Sequence, residues 1–252
     1  FWVTDYNPYY AGTFTTGEID KSYPVTSGSV QRYAGGVWAS GGELQNSYIL
    51  DRDIGNLSTT HTPSTISRGV LYYQYGRKDP FPSDVPIYDI SGTAILISKP
   101  NSTSTMKNSV NSPTSFYRAP AQKGDWCSEI LGNSIIWNDV NAISSSITKS
   151  IFDPSPWGFR LPKQNVYSNY NSTNFISSGS YRMYNSFAKY YMDGYRAYTS
   201  GNITVVGTNG RLWYSLPQAQ DFAYYFDFTL TTINDGGFVA KAFGNVCRPV
   251  RE

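Results

Sequence analysis

Apolar residues come in short runs separated by polar stretches, and few of the runs repeat with helical spacing. Residues 47–50, 70–75, 94–97, 222–230 and 238–242 are rich in Tyr, Val, Ile and Phe, with Gly, Pro, Asn or Asp near most of them. Short β-formers bounded by turn-forming residues predict strands. Two segments predict short helices, residues 126–131 and 139–149, although the serines at 144–146 weaken the second. In a strand over 222–230, Tyr224 and Phe226 share one face and Tyr225 points the other way. One set is therefore expected in the core and the other at the surface, with Tyr224 outward.

Residues 7–38, 55–67, 99–124 and 163–181 show no clear element. Loops of that length in a compact domain are usually functional or mobile. No composition break, Pro-rich linker or internal repeat divides the chain, so one domain over residues 1–252 is expected. Its class is α+β, dominated by strand and loop.

Composition narrows the partners. Charged residues make up 15% and aromatic residues 16%, with 22 Tyr against a single His. Low charge with many aromatics argues against disorder. A net charge of +2, with Lys and Arg scattered, offers no footprint for nucleic acid. No apolar segment reaches the roughly 18 residues a membrane span needs, so no membrane insertion is expected. The chain opens at Phe1 rather than Met and reads as a processed form or fragment; it shows no signal peptide, which a processed chain would have lost.

Between Asn165 and Asn202, Tyr, Asn and Ser fill 21 of 38 positions. Tyr offers large amphipathic contact area at low entropic cost, and Ser and Asn offer adaptable hydrogen bonds, which is the chemistry of antibody paratopes. A polar, Tyr-rich cover that binds nothing has the same composition. Both readings stay open here. So do two readings of Cys127 and Cys247: buried free thiols, or one disulfide closing a loop of about 120 residues, worth on the order of 4–5 kcal/mol.

Catalytic and metal-binding patterns are missing from the sequence. His61, the usual acid–base residue type near neutral pH, sits in the polar run Thr59-Thr60-His61-Thr62-Pro63 and is expected to be solvated. One His and two distant Cys do not make a zinc site. Gly35-Gly36 and Gly41-Gly42 lack the phosphate-loop pattern, and no nucleophile elbow occurs. Asp51-Arg52-Asp53 is read as a structural ion pair or turn. Trp137-Asn138-Asp139 matches a calcium-and-sugar tripeptide but lacks the partner motif that would complete six or more oxygen ligands. No enzyme activity, metal or cofactor is expected.

Four stretches, in order, resemble one family. They are residues 47–55 (SYILDRDIG), residues 69–81 (GVLYYQYGRKDPF), residues 149–162 (KSIFDPSPWGFRLP), and the set Gly194-Tyr195-Arg196, Gly201, Val206-Gly207, Gly210, Trp213 and Ser215. The opening Phe1-Trp2-Val3-Thr4-Asp5-Tyr6-Asn7-Pro8 resembles the segment leading into the same domain. The chain is similar to the FISUMP-type major paralogous domain of secreted proteins of gut bacteria, often attached to fimbrillin-like pilus modules. The resemblance implies a C-type-lectin-like fold, related to formylglycine-generating enzymes and to the variable proteins of diversity-generating retroelements. Gly55, Gly76, Gly194, Gly207 and Gly210 are then expected at turns of positive φ or at close approaches. Trp157, Trp213 and Tyr72 are expected in the core, and Arg52, Arg77 and Arg160 in structural ion pairs or backbone hydrogen bonds. Ser155 and Pro249 stand where the family commonly has Cys, and no pair of reactive cysteines matches the enzymatic relatives.

The implied function is a non-enzymatic, extracellular ligand-binding module, an adhesin at a pilus tip or cell surface. Its partner would be a protein or glycan on a host or neighbouring cell, with pilus subunits as further partners. A phage tail-tip variable protein and a structural pilus subunit are the rivals. The expected binding face is Arg211, Tyr214, Leu216, Gln218, Asp221, Phe222, Tyr224, Asn234 and Asp235, in the C-terminal third where diversified relatives vary.

Overall fold

Tyr72, Tyr73 and Gln74 alternate across a strand buried on both faces, β1 (Leu71–Gln74). The computed structural model describes residues 53–55, 70–82, 87–88, 91–119, 124–129, 137, 149–155, 159–164, 166–168, 170–184 and 188–251. After β1 come β2 (Phe81–Pro82), β3 (Ile87–Tyr88), β4 (Ala94–Ile95), the helix α1 (Met106–Asn111) and β5 (Phe159–Arg160). A second run holds β6 (Phe175–Ser178), β7 (Tyr181–Tyr184), β8 (Ala188–Tyr191), β9 (Tyr195–Arg196) and β10 (Ile203–Thr204). The last elements are β11 (Asn209–Pro217), β12 (Phe222–Thr229), β13 (Ile233–Ala240), β14 (Gly244–Val246) and β15 (Val250–Arg251).

The main sheet has the order β10-β9-β14-β11-β12-β13, with β1 pairing β14 and β2. The antiparallel ribbon β11–β12–β13 holds the three longest strands among the described residues. A separate three-stranded sheet has the order β6-β7-β8. Two smaller pairs, β15–β5 and β3–β4, complete the strand pairing.

The expected strands over 70–75, 94–97 and 222–230 are present within a residue or two, and 238–242 is the end of β13. The run at 47–50 lies outside the described residues. The helix expected at 126–131 is not formed over its described part, where Trp126 sits at a bend and Cys127 makes a bridge with Ser104. The only helix among the described residues is α1, inside a stretch that looked featureless; Thr105 caps it by accepting from the Asn108 N–H at 3.1 Å. The described part is thus mostly β rather than α+β. The helix expected at 139–149 lies outside it except for Lys149, which makes a bridge.

Alternation along β12 sends Phe226 and Phe228 into one apolar cluster, with Tyr224 partly buried against it, and Ala223 and Tyr225 into a second. Both faces of the strand are covered, which corrects the expectation of one core face and one surface face. The first face is covered by the β6–β8 sheet, which contributes Phe175, Tyr184 and Tyr190. The second lies against Trp137, Leu161, Tyr73, Tyr75 and Trp213. The first cluster also joins Val70, Tyr72 and Phe81 to Phe116 and to residues from Val166 to Val250. The expected N-terminal strand lies outside the described residues; Val250 pairs with Arg160 of β5.

Most tyrosines of the Tyr-rich segment are core. Tyr167, Tyr170, Tyr184, Tyr190 and Tyr191 are buried, and Tyr170 stacks on Tyr184 with centroids 4.0 Å apart. A buried phenol must place its hydroxyl, and Tyr170 and Tyr190 do so by bonding each other at 2.6 Å. Asn171, between them, serves a turn: its Oδ1 accepts from the Thr173 N–H at 2.9 Å. This overturns the paratope reading for these tyrosines, which keep almost no exposed surface; Tyr167, Tyr170, Tyr184 and Tyr190 pack in one cluster with Phe175, Phe226 and Phe228.

The family-like motifs have scaffold roles. Three fully buried indoles donate to alternate carbonyls of one segment: Trp213 to Tyr73 at 2.7 Å, Trp126 to Tyr75 at 2.8 Å and Trp137 to Arg77 at 3.2 Å. The buried Arg77 guanidinium donates to the Ser115 carbonyl at 2.6 Å, pairs with Asp79 at 3.4 Å and lies 4.8 Å from the Phe81 ring. Arg248 lies 3.8 Å from Asp53 and donates to the Lys189 carbonyl at 2.8 Å. Gly194 has φ +69, and a Cβ there would meet the Thr204 carbonyl oxygen at 2.2 Å. At Gly210 a Cβ would enter the Phe228 ring, also at 2.2 Å. Gly55, Gly76 and Gly207 also have positive φ. Arg52, His61, Asn138, Asp139 and Trp157 lie outside the described residues. Cys127 and Cys247 are both free and buried, in different clusters, so the bridge between them is not formed.

Candidate functional site

The ribbon β11–β12–β13 carries all nine expected site residues, but it divides them between two faces and one end. Arg211 and Asp227 pair across β11 and β12, and Asp227 pairs with Asn234 across β12 and β13. Paired residues share a face, so Arg211 and Asn234 lie on the Tyr225 side. There Arg211 Nε contacts Asp227 Oδ1 at 3.1 Å, and its guanidinium carbon stands 3.8 Å from the Tyr195 ring centroid and 5.0 Å from that of Tyr225. Asn209 donates to the same Asp227 oxygen at 2.9 Å. Both charges are mostly covered, so Arg211 is a fixed cation against aromatic faces.

Tyr214 and Asp235 lie on the opposite face. Tyr214 is fully buried in the first cluster, which corrects its placement as an exposed contact. Its neighbours there include Tyr167, with ring centroids 5.7 Å apart. The Tyr214 hydroxyl donates to Asp235 Oδ1. Burial pushes the Asp235 carboxyl above the usual carboxylate range and the Tyr214 phenol well above its own, so the pair is held as a neutral donor beside a poorly solvated acceptor. Tyr224, expected outward, is partly buried beside them. These residues support a surface rather than form one.

The remaining positions gather at the end of the ribbon. Gln218 is exposed, Leu216 and Asp221 are half-buried, and Phe222 is 38% exposed. The turn between β11 and β12 is closed by Phe222, whose carbonyl accepts from the Gln218 N–H at 2.9 Å and from Ala219 at 3.1 Å. Across the hairpin, Phe238 is 56% exposed and its ring meets Phe222 edge-on at 5.8 Å. Phe238 pairs with Tyr224 and Ala240 with Phe222, so the two exposed rings are diagonal neighbours on one face. Sequence reasoning missed Phe238. The strand run at 238–242 and the turn at 230–232 would have found it once read together as a hairpin, because the register then sets Phe238 opposite Tyr224.

The register shifts between Tyr225 and Phe226, with Gly236 the extra residue of β13 at φ +92. That bulge lets Asp235 reach Tyr214 while Phe238 stays outside. Among the described residues no group of three or more His, Cys, Asp or Glu could hold a metal ion. No helix among them is long and apolar enough to cross a membrane. Comparison of the chain with protein-family models, with curated proteins and with solved structures found no match.

Proposed function

We propose that this chain is a non-enzymatic ligand-binding module of the cell surface, an adhesin whose binding edge is the Phe222–Phe238 end of the β11–β12–β13 ribbon. The observation that carries the reading is the pair of exposed rings in edge-to-face contact on an otherwise aromatic-filled sheet. Aromatic residues, Phe among them, are enriched in the cores of binding interfaces, and here the frame beneath is held by Tyr214, Asp235 and Phe226. Gln218, Ala219 and Gln220 are exposed beside them and supply polar groups for a rim. The family-like motifs support a C-type-lectin-like fold of FISUMP type and an extracellular, pilus-associated setting, with a protein or glycan as ligand. A phage tail-tip variable protein would use the same edge.

One observation favours a second reading, a structural pilus subunit. The eight-residue strand β13 lies at the end of the main sheet's strand order, and an edge strand is where strand addition takes place.

The test is a glycan array and a panel of extracellular-matrix proteins, probed with wild type and with Phe222→Ala and Phe238→Ala. Adhesin function expects a specific wild-type signal that both variants lose while staying folded. A signal unaffected by both substitutions would place the binding face elsewhere. No signal, with wild-type chains assembling end to end, would favour the subunit.

A further inference from the structure

Gly124 meets Asp221 and Lys241, which flank the paired strands β12 and β13, at the same end of the ribbon. The Lys241 N–H donates to the Asp221 carbonyl at 3.0 Å, and the Ala242 N–H donates to the Gly124 carbonyl at 3.0 Å. Gly124 permits this approach, since a Cβ there would lie 2.8 Å from the Asp221 carbonyl oxygen and 3.2 Å from the Asp221 Cβ. The next residue, Asp125, thereby faces the Lys241 side chain. Lys241 Nζ lies 3.8 Å from Asp125 Oδ2, with the Lys side chain fully buried and the Asp side chain 10% exposed. Lys241 Nζ also donates to the Gln220 carbonyl at 2.5 Å, and it sits 5.6 Å from the Tyr75 ring centroid.

The two oxygens of Asp125 are differentiated. Oδ1 accepts from the Cys127 backbone N–H at 2.9 Å, while Oδ2 faces the amine. That is the arrangement acyl transfer needs: a donor on the oxygen that gains negative charge, and a nucleophile near the carbon. Burial pushes the Asp125 carboxyl up to about 6 and pushes the Lys241 amine down, so both are driven toward their neutral forms. Asp221 is a second carboxylate close enough for its charge to act on both.

We propose that Lys241 and Asp125 close into an intramolecular isopeptide bond, with Asp221 as the proton carrier. A proton first passes from the Lys241 ammonium to Asp125, leaving an amine and a carboxylic acid. The Nζ lone pair attacks Asp125 Cγ, and the Oδ1 charge that develops is met by the Cys127 N–H. Asp221 takes a proton from the nitrogen and returns it to the departing Oδ2 hydroxyl. The new C–N bond forms, the C–O bond breaks, and one water leaves. No oxidant or further reactant is required. The bond would tie the 124–129 segment covalently to the end of β13, whether or not the Phe222–Phe238 edge binds a ligand.

Intact-mass measurement of the full, denatured and reduced chain tests this directly. The wild type is expected to be lighter than its sequence by one water. Trypsin should then release a branched peptide joining residues 124–149 to residues 212–251, with cleavage after Lys241 abolished. Lys241→Met and Asp125→Ala should show their full sequence masses, and Asp221→Asn should accumulate the uncrosslinked form. A wild type at full sequence mass overturns the proposal. So does a water loss that maps to any linkage other than Lys241–Asp125.

Discussion

The indole N–H of Trp213 donates to the carbonyl of Tyr73 at 2.7 Å across 140 residues of sequence. This bond fixes β11 against β1, two strands that each pair with β14. Tyr75 lies against the same ring, with its hydroxyl on the Ser215 carbonyl at 2.7 Å. Trp213→Ala is expected to cost about 3–5 kcal/mol, as for other buried large aromatics. Trp213→Phe keeps most of the volume but withdraws the donor, and should cost about 1–3 kcal/mol. Urea unfolding of both variants checks this. A Phe variant within about 0.5 kcal/mol of wild type would show that packing alone holds the two strands.

Phe238 and Tyr214 lie on one face of the same ribbon yet should respond oppositely to substitution. Phe222→Ala and Phe238→Ala remove exposed rings and are expected to shift stability by only about 0.5 kcal/mol. Each should weaken binding by about 2 kcal/mol, roughly 30-fold. Tyr214→Ala opens a hole in the first cluster and leaves Asp235 without its donor, so it should unfold well below the wild-type melting temperature. Parallel melting curves and binding titrations separate the cases; an early-melting Phe238→Ala would place that ring in the core.

The thiols should be silent in the folded chain. Burial pushes the Cys127 thiol up to about 11 and the Cys247 thiol well above its ordinary value, so almost no thiolate is present near pH 8. A thiol-titrating reagent should react slowly with the native protein and find two thiols after denaturation without reductant. Finding none in the denatured chain would mean the two sulfurs are bridged.

Asp235 should leave a signature in the pH dependence of stability. Its folded carboxyl is raised by burial, so between the ordinary carboxylate value and the raised one the native state holds more protons than the unfolded state. Its contribution is therefore fully present below the ordinary value and is lost as pH rises through the folded one. Asp235→Asn keeps an acceptor for Tyr214 and removes the titration. Unfolding free energies measured across that range should fall more steeply with pH for wild type than for the variant. Identical slopes would show that Asp235 stays solvated.

The sequence by itself determined the local features whose causes are local. Turn residues bounding β-formers marked β1 and β12, and the glycines at 55, 76, 194, 207 and 210 announced the positive φ or close approach that each position has. Strand β11 was not legible, because Leu212, Trp213, Tyr214 and Ser215 are all buried and a strand covered on both faces loses its alternation. The tyrosines between 165 and 202 were illegible for a related reason. A phenol suits a surface or a core equally, and only the partner for its hydroxyl decides, as when Tyr170 finds Tyr190. Which of the nine expected site residues reach the surface was not legible. Register, a one-residue bulge at Gly236 and the covering β6–β8 sheet sent Tyr214 inward, put Arg211 on the other face and left Phe222 with Phe238 outside. Composition cannot express that choice, because it depends on which strand lies next to which.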